Sequence, residues 1–206
     1  MKTHGCILLG CLLLCLPAVA TAALPTAAEI RKDFTALASA ASPRSIDREE
    51  WESASFSLFQ AADKNKDNFL DATELEGNRD ALAAADENKD GRLSVTEFMQ
   101  LRRAIFKAAD MDRDEMLTYF EFELLVLLGQ TGWTDANRNG RIEPSELKDA
   151  LAQAFAKLDV NHDGKLTPEE AAYKGAMQWR MGDTDQNGTL TADEFTRGYL
   201  MSLGAI

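Results

Sequence analysis

Cysteine and histidine are almost missing from this 206-residue chain. Its three cysteines all lie near the N-terminus, at Cys6, Cys11 and Cys15, and His162 is the only histidine beyond residue 4. No disulfide can therefore stabilise the rest of the chain, and no cysteine nucleophile can act there. Without a His–carboxylate cluster or a Gly-rich phosphate motif, nothing indicates nucleophilic or general-base catalysis, so we do not expect an enzyme.

Long apolar runs are scarce as well. The one such run spans residues 5–16, after Lys2 and before the small residues at 18–23. A basic start, a short apolar stretch and an A-x-A-like site are typical of a secretory signal peptide, and we expect cleavage near Ala20 or Ala22. No later stretch approaches the roughly 20 apolar residues of a membrane helix, so we expect no membrane contact after cleavage.

Basic residues are few relative to acidic ones, 22 against 34, which gives a formal net charge of −12. Such an excess repels phosphates, which argues against a nucleic-acid partner. A solvated acidic surface would be the simplest interpretation, but the acids are not scattered. Acidic segments begin every 23 to 25 residues, at Asp63, Asp86, Asp110, Asp135, Asp159 and Asp183. Regular spacing of this kind is typical of one supersecondary unit repeated in tandem.

The six repeats share a 12-residue segment, which we call loops one to six in chain order. Each loop has an aliphatic residue at its eighth position: Leu70, Leu93, Leu117, Ile142, Leu166 and Leu190. A large apolar residue lies four positions before the first Asp in every repeat except the fourth, which has Thr131 there and Trp133 two positions before its Asp. Five of the six loops therefore follow a large apolar residue at a fixed distance.

Oxygen-bearing residues recur within each loop at the spacing that Ca²⁺ requires. Calcium takes six to eight oxygens at about 2.3–2.6 Å, and a 12-residue loop can supply them from positions 1, 3, 5, 7, 9 and 12. Glycine at position 6 permits the positive φ of the sharp turn. The full pattern D-x-[DN]-x-[DN]-G-x5-E occurs in loops two, four, five and six.

Loops one and three depart from this pattern only at position 6. Loop one has Asn68 there, which adopts the left-handed conformation readily, so we expect the loop to bind. Loop three has Glu115, for which a left-handed backbone costs about 1–2 kcal/mol. Occupancy of residues 110–121 therefore depends on whether Glu115 holds the conformation of a glycine.

Six positions of each loop supply its predicted ligands, with position 7 contributing its backbone carbonyl. In loops one to three they are Asp63, Asn65, Asp67, Phe69, Asp71 and Glu74; Asp86, Asn88, Asp90, Arg92, Ser94 and Glu97; and Asp110, Asp112, Asp114, Met116, Thr118 and Glu121. In loops four to six they are Asp135, Asn137, Asn139, Arg141, Glu143 and Glu146; Asp159, Asn161, Asp163, Lys165, Thr167 and Glu170; and Asp183, Asp185, Asn187, Thr189, Thr191 and Glu194.

From Trp51 to the C-terminus the chain resembles the EF-hand superfamily of calcium-binding proteins. The resemblance implies an all-α fold of helix–loop–helix units that work in pairs, with a short β ladder between the two loops of each pair. Gly77–Asn78, the segment 129–132 and Gly175 interrupt alternate linkers, whereas 98–109 and 147–158 contain neither Gly nor Pro. Since an interrupted linker can fold back, we predict three pairs: loops one and two, three and four, and five and six.

These pairs give the predicted domain organisation. It comprises a signal peptide over 1–22, an N-terminal helix and linker over 23–46, and EF-hand pairs over 47–98, 99–147 and 148–206. An amphipathic helix is expected within the N-terminal segment, with Ile30, Phe34 and Leu37 on one face.

Calcium, at up to six ions, is the predicted cofactor. Twenty of the 34 acidic residues occupy ligand positions, so most of the negative charge belongs to the loops. Two roles agree with this arrangement: a buffer or calcium-stabilised protein, and a sensor that exposes apolar surface to an unidentified protein partner on loading.

Two features bear on where the protein is delivered. The chain ends in Ser202–Ile206, without the retention tetrapeptide usual in the calumenin and reticulocalbin family, and its loop spacing resembles that of bacterial exported EF-hand proteins. We therefore expect a periplasmic or extracellular protein, with the lumen of the secretory pathway as the alternative. Leu8–Cys11 resembles a lipobox, but Cys11 lies inside the apolar run rather than at its end.

Overall fold

The computed structural model describes residues 27–39, 42–75, 82–83, 85–171 and 177–204. Its helices are α1 Ala27–Leu37, α2 Arg48–Ala62, α3 Val95–Ala109, α4 Tyr119–Thr131, α5 Pro144–Leu158, α6 Met177–Gly182 and α7 Ala192–Ser202. Its strands are β1 Ser45–Asp47, β2 Phe69–Leu70, β3 Leu93–Ser94, β4 Met116–Thr118, β5 Lys165–Leu166 and β6 Leu190–Thr191. The strands form only three two-stranded antiparallel ladders, so the fold is all-α, as predicted.

Capping boxes determine where the helices after the loops begin. At the start of α3, the Ser94 side chain accepts from the backbone N–H of Glu97, and the Glu97 carboxylate accepts from the backbone N–H of Ser94. α4 and α7 begin in the same way, with threonine as the N-cap. Because the N-cap is loop position 9 and the glutamate is position 12, the residues that complete each loop also start the next helix.

Two of the three predicted ladders are confirmed. Loop one pairs with loop two, with Leu70 opposite Leu93. Loop five pairs with loop six, with Leu166 opposite Leu190. All four leucines are buried, so the eighth loop position joins each ladder to the core.

The predicted ladder between loops three and four is wrong. Loop three pairs instead with β1, where Ile46 lies opposite Leu117. Among the described residues loop four takes part in no ladder, and the backbone N–H of its Ile142 donates to the carbonyl of Ala108 at the end of α3.

Strand β4 is paired along all three of its residues with β1, and loop four contacts the end of α3 instead. Helix α4 continues through Gly129 and ends at Thr131, before Gly132 at φ 87°. Thirteen helical residues span about 20 Å, so the start of loop four lies beyond the end of α4 that is opposite β4. The segments predicted to be unbroken do lie within α3 and α5, whereas Gly77, Asn78 and Gly175 are outside the described residues.

Helices α2 and α3 pack antiparallel along their length. The Trp51 and Phe106 rings lie 5.9 Å apart near one end, and those of Phe59 and Phe98 lie 5.5 Å apart near the other. Between them Arg102 is buried, with its guanidinium 4.0 Å from the centre of the Trp51 ring. The Trp51 indole N–H donates to the Arg102 carbonyl at 2.9 Å, so Arg102 contacts the ring both at one face and at its edge.

The remaining helices complete the core through aromatic contacts. Helix α1 buries Ile30 and Phe34, as its amphipathic pattern predicted, and the Phe34 ring lies 5.6 Å from that of Tyr119 on α4. Toward the C-terminus, α5 and α7 meet where the Phe155 and Phe195 rings are 6.0 Å apart.

Glu123, on α4, is a carboxyl group without exposure to solvent. Burial raises the pKa of Glu123 to about 8, against the opposing effect of the positive charge of Arg31. The folded protein therefore holds this proton over a pH range in which the unfolded chain, with an ordinary pKa of 4.5, releases it.

The substitution Glu123→Gln should make stability less dependent on pH. Because the folded pKa is raised, the wild-type free energy of unfolding should fall as pH rises from 4.5 to about 8. Across this window the free energy of unfolding of the variant should rise relative to that of the wild type by about 2–4 kcal/mol. Urea unfolding at pH 5, 7 and 9 in saturating calcium measures this gain. Asp149→Asn, at an exposed position, is the control and should follow the wild type; parallel profiles for E123Q and wild type would refute the assignment.

Candidate metal centres

All six predicted loops have the same unusual backbone. Position 6 has positive φ in each: Asn68 66°, Gly91 82°, Glu115 63°, Gly140 71°, Gly164 78° and Gly188 80°. Position 4 also has positive φ in each: Lys66 61°, Lys89 60°, Arg113 66°, Arg138 60°, His162 59° and Gln186 57°. Glu115 thus holds the conformation of a glycine, and loop three has the geometry of the other five.

Side chains at positions 3 and 5 are turned into the loop by short-range hydrogen bonds. A side-chain oxygen at position 3 accepts from the backbone N–H of position 5 at 2.8–3.2 Å; the acceptors are Asn65, Asn88, Asp112, Asn137, Asn161 and Asp185. A side-chain oxygen at position 5 accepts from the backbone N–H of position 7 at 2.7–2.9 Å; the acceptors are Asp67, Asp90, Asp114, Asn139, Asp163 and Asn187. The donors at position 7 are Phe69, Arg92, Met116, Arg141, Lys165 and Thr189, whose carbonyls are the predicted ligands.

The first Asp of each loop is held from inside the turn. In five loops one of its oxygens accepts from the backbone N–H of position 6 at 2.8–3.1 Å; these residues are Asp63, Asp86, Asp135, Asp159 and Asp183. In loop three, burial raises the pKa of Asp110, and the backbone N–H groups of Arg113 and Glu115 act in the opposite direction.

Two of these aspartates carry an oxygen that suits a cation. The Oδ1 atoms of Asp63 and Asp110 are buried and have no hydrogen-bond partner among the described residues. A buried, unpaired carboxylate oxygen is costly unless a cation or a donor meets it. The ligand positions offer carboxylates and carbonyls and contain no thiol or imidazole. A hard cation that prefers oxygen ligands, such as Ca²⁺, fits this donor set.

Glutamate at position 12 closes each loop. One of its oxygens accepts from the backbone N–H of position 9 at 2.9–3.3 Å in Glu74, Glu97, Glu121, Glu146, Glu170 and Glu194. In four loops the other oxygen accepts from the backbone N–H of position 2, donated by Lys64, Met111, Ala136 and Thr184. The two ends of each such loop are therefore joined through one carboxylate, whose further lone pairs can still face a cation.

Loop three again differs in its electrostatics. Hydrogen bonds, led by the Ser94 hydroxyl for Glu97 and by the Thr191 backbone for Glu194, lower the pKa of both glutamates. For Glu121 burial outweighs such bonds and raises the pKa. Burial of both Asp110 and Glu121 is thus not fully compensated by hydrogen bonds.

The residues predicted at position 9 have three different arrangements. Ser94, Thr118, Thr167 and Thr191 each donate the hydroxyl to the glutamate of the same loop at 2.6–2.9 Å. In loop four, Glu143 instead accepts from the side-chain amides of Asn137 and Asn139 at 2.7 and 2.8 Å. Asp71 accepts from the backbone N–H groups of Thr73 and Glu74. The side chains at position 9 are therefore engaged in hydrogen bonds within the loop, which agrees with coordination of the ion through a water molecule.

Carboxylates converge most closely in three loops. One oxygen from each of three residues lies within 4.8 Å of the others in the groups Asp63, Asp67 and Glu74; Asp110, Asp112 and Asp114; and Asp183, Asp185 and Glu194. Three like charges at this distance repel strongly unless a cation lies among them.

Lys107 and Arg141 perform a role that the sequence did not reveal. Lys107 Nζ donates to the Asn139 carbonyl at 3.0 Å, and the Arg141 guanidinium donates to the carbonyls of Lys107 and Asp110 at 3.3 Å. These contacts attach loop four to the beginning of loop three. They join residues more than 30 positions apart, so no local pattern could indicate them.

Comparison with known families agrees with this geometry. A family model described as EF hand matches residues 57–77, 79–101, 135–152 and 151–170, which contain loops one, two, four and five. Together with the helix–loop–helix fold, these matches support an EF-hand calcium-binding family, whose members are typically not enzymes, and EF-hand domains indicate Ca²⁺ binding. A search of curated proteins found no significant match.

The substitutions Glu115→Gly and Asn68→Gly should stabilise the chain unequally. Both replace a left-handed residue at loop position 6. Glycine should relieve about 1 kcal/mol at Glu115 and only a few tenths at Asn68, because asparagine tolerates that conformation. Urea unfolding in saturating calcium measures both values. A gain from N68G equal to that from E115G, or a loss from E115G, would show that Glu115 is not strained.

Proposed function

We propose that this protein binds up to six calcium ions, one in each loop, and that the bound ions stabilise its fold. The observation that carries the proposal is the common loop backbone: left-handed residues at positions 4 and 6 and inward-turned oxygens at positions 3 and 5 occur in all six loops. Loops three and six, which the family model does not match, share this geometry.

Charge supports a stabilising role for the ions. The twelve positive charges of six Ca²⁺ would cancel the formal charge of −12. Without them the carboxylates of each loop repel one another, and folding is opposed. A protein without disulfides beyond its leader depends on such cross-links for stability.

We further propose that the protein is exported and acts in the periplasm or outside the cell. The leader sequence over 1–22 supports export, although it lies outside the described residues. Within the described part of the chain, no helix is both long and apolar enough to cross a bilayer. Extracellular calcium is abundant, so sites of about 10⁻⁴–10⁻³ M would be filled there. No catalytic role and no nucleic-acid partner is proposed.

Calcium titration of the purified chain should give six ions per molecule. Glu170→Gln should remove or greatly weaken one site, since a bidentate carboxylate becomes an amide. The neighbouring exposed Glu169→Gln is the matched control and should retain six. Calorimetry, with bound calcium measured by elemental analysis, gives both numbers. If wild type binds no calcium at millimolar concentration, or E170Q and E169Q behave alike, the assignment of the loops is wrong.

Removal of calcium should loosen the fold. Each site filled at a hundredfold excess over its Kd contributes about 2.7 kcal/mol, so a chelator should lower the melting temperature strongly and reduce the helical circular dichroism signal. An unchanged melting curve would contradict a stabilising role. A dye for apolar surface separates the two roles, because a sensor should bind more dye on calcium loading and a buffer or calcium-stabilised protein should not.

A further inference from the structure

The segment Ala38–Glu50 repeats the hydrogen bonds of the calcium loops, although it was not among the predicted six. Each entry helix that leads directly into its loop ends with a bond from the first loop residue to the residue four positions earlier, as from the Asp63 N–H to the Phe59 carbonyl at 2.9 Å. The Ala38 N–H makes the same bond to the Phe34 carbonyl at 2.9 Å. Ala38 thus stands where the loops have their first Asp.

The end of this segment matches the end of a loop as well. Glu50 Oε1 accepts from the backbone N–H of Ser39 at 3.0 Å, and its Oε2 accepts from that of Asp47 at 3.0 Å. These are the bonds that position 12 makes to positions 2 and 9. Asp47 caps α2 through a capping box with Glu50, as positions 9 and 12 do in loops two, three and six.

The segment cannot coordinate calcium in the manner of the six loops. It is 13 residues long rather than 12, and it contains no acidic residue before Asp47. Glu50 alone is left at the closing position, where the Ser39 side chain and the backbone N–H groups of Asp47 and Ser39 lower its pKa. The segment therefore has the hydrogen bonds of a loop without the carboxylates at positions 1, 3 and 5 that would coordinate a cation.

This segment is nevertheless in position to act as a pairing partner. Ile46, at the equivalent of position 8, is fully buried opposite Leu117 of loop three. The ladder between β1 and β4 has three residue pairs, against two in each of the other ladders. The helices that flank this segment also pack on the helices that flank loop three: α1 contacts α4, and α2 contacts α3.

We infer that the segment 38–50, of which the structure describes residues 38, 39 and 42–50, forms a seventh, metal-free EF-hand unit that holds loop three in its calcium-binding conformation. The inference rests on the proposed function and goes beyond it by naming the element that prepares one site. Loop three needs such support, because Glu115 holds a left-handed backbone next to β4 without the help of a glycine. Ordering this turn before the ion arrives removes part of the entropic cost of binding.

The test measures calcium affinity loop by loop in the full chain. The backbone N–H of position 6 faces the carboxylate of position 1, so its NMR signal should shift when that carboxylate is bound. The six reporters are Asn68, Gly91, Glu115, Gly140, Gly164 and Gly188. Ile46→Ala should weaken binding at Glu115 at least tenfold and leave loops five and six unchanged. The matched control Leu166→Ala should weaken loops five and six and spare loop three.

Three results would overturn the inference: unchanged affinity of loop three in I46A, equal weakening of all six loops, or a Glu115 signal that responds equally to I46A and L166A. If I46A does not fold in calcium, Glu50→Gln is judged by the same criteria. A wild-type chain in which none of the six signals responds would refute the proposed function itself. Normal responses in the other five loops with an unchanged loop three in I46A would refute the seventh unit alone.

Discussion

Each loop gathers three or four carboxylates at its ligand positions, and the structure is arranged around the repulsion between them. Backbone N–H groups face these oxygens from positions 5, 6, 7 and 9, which is possible only because positions 4 and 6 have positive φ. The same turn ends one helix at the first Asp and starts the next at position 9. The Oδ1 atoms of Asp63 and Asp110 accept no hydrogen bond from the described residues, so these oxygens can coordinate a cation.

Shared helices connect the loops to one another. Helix α2 follows the metal-free unit and leads into loop one, while α3 leaves loop two and leads into loop three. The contact between them, formed by Trp51, Arg102 and their neighbours, therefore belongs to two EF-hand pairs at once. A change at either end of these antiparallel helices alters the support of both ladders, so neither of these two pairs is independent of the other.

The loops could be predicted from the sequence because chelation is a short-range requirement. Twelve consecutive residues contain all the ligands, and even Glu115 in loop three adopts the backbone that the pattern implies. Pairing could not be predicted in the same way, since it depends on where helices end. Gly129 suggested an early break, yet α4 continues to Thr131, and β1 rather than loop four pairs with loop three. The partner of loop three could not be predicted, because Ala38–Glu50 has the hydrogen bonds of a loop but not its carboxylates at positions 1, 3 and 5.

Calcium bound at six loops, with a seventh unit that holds none, is the central claim. Anomalous diffraction from crystals of the calcium-loaded protein tests it most directly. The account predicts one calcium peak in each loop, including residues 110–121, and no peak within residues 38–50. Absence of calcium from the loops, or an ion within 38–50, would contradict it.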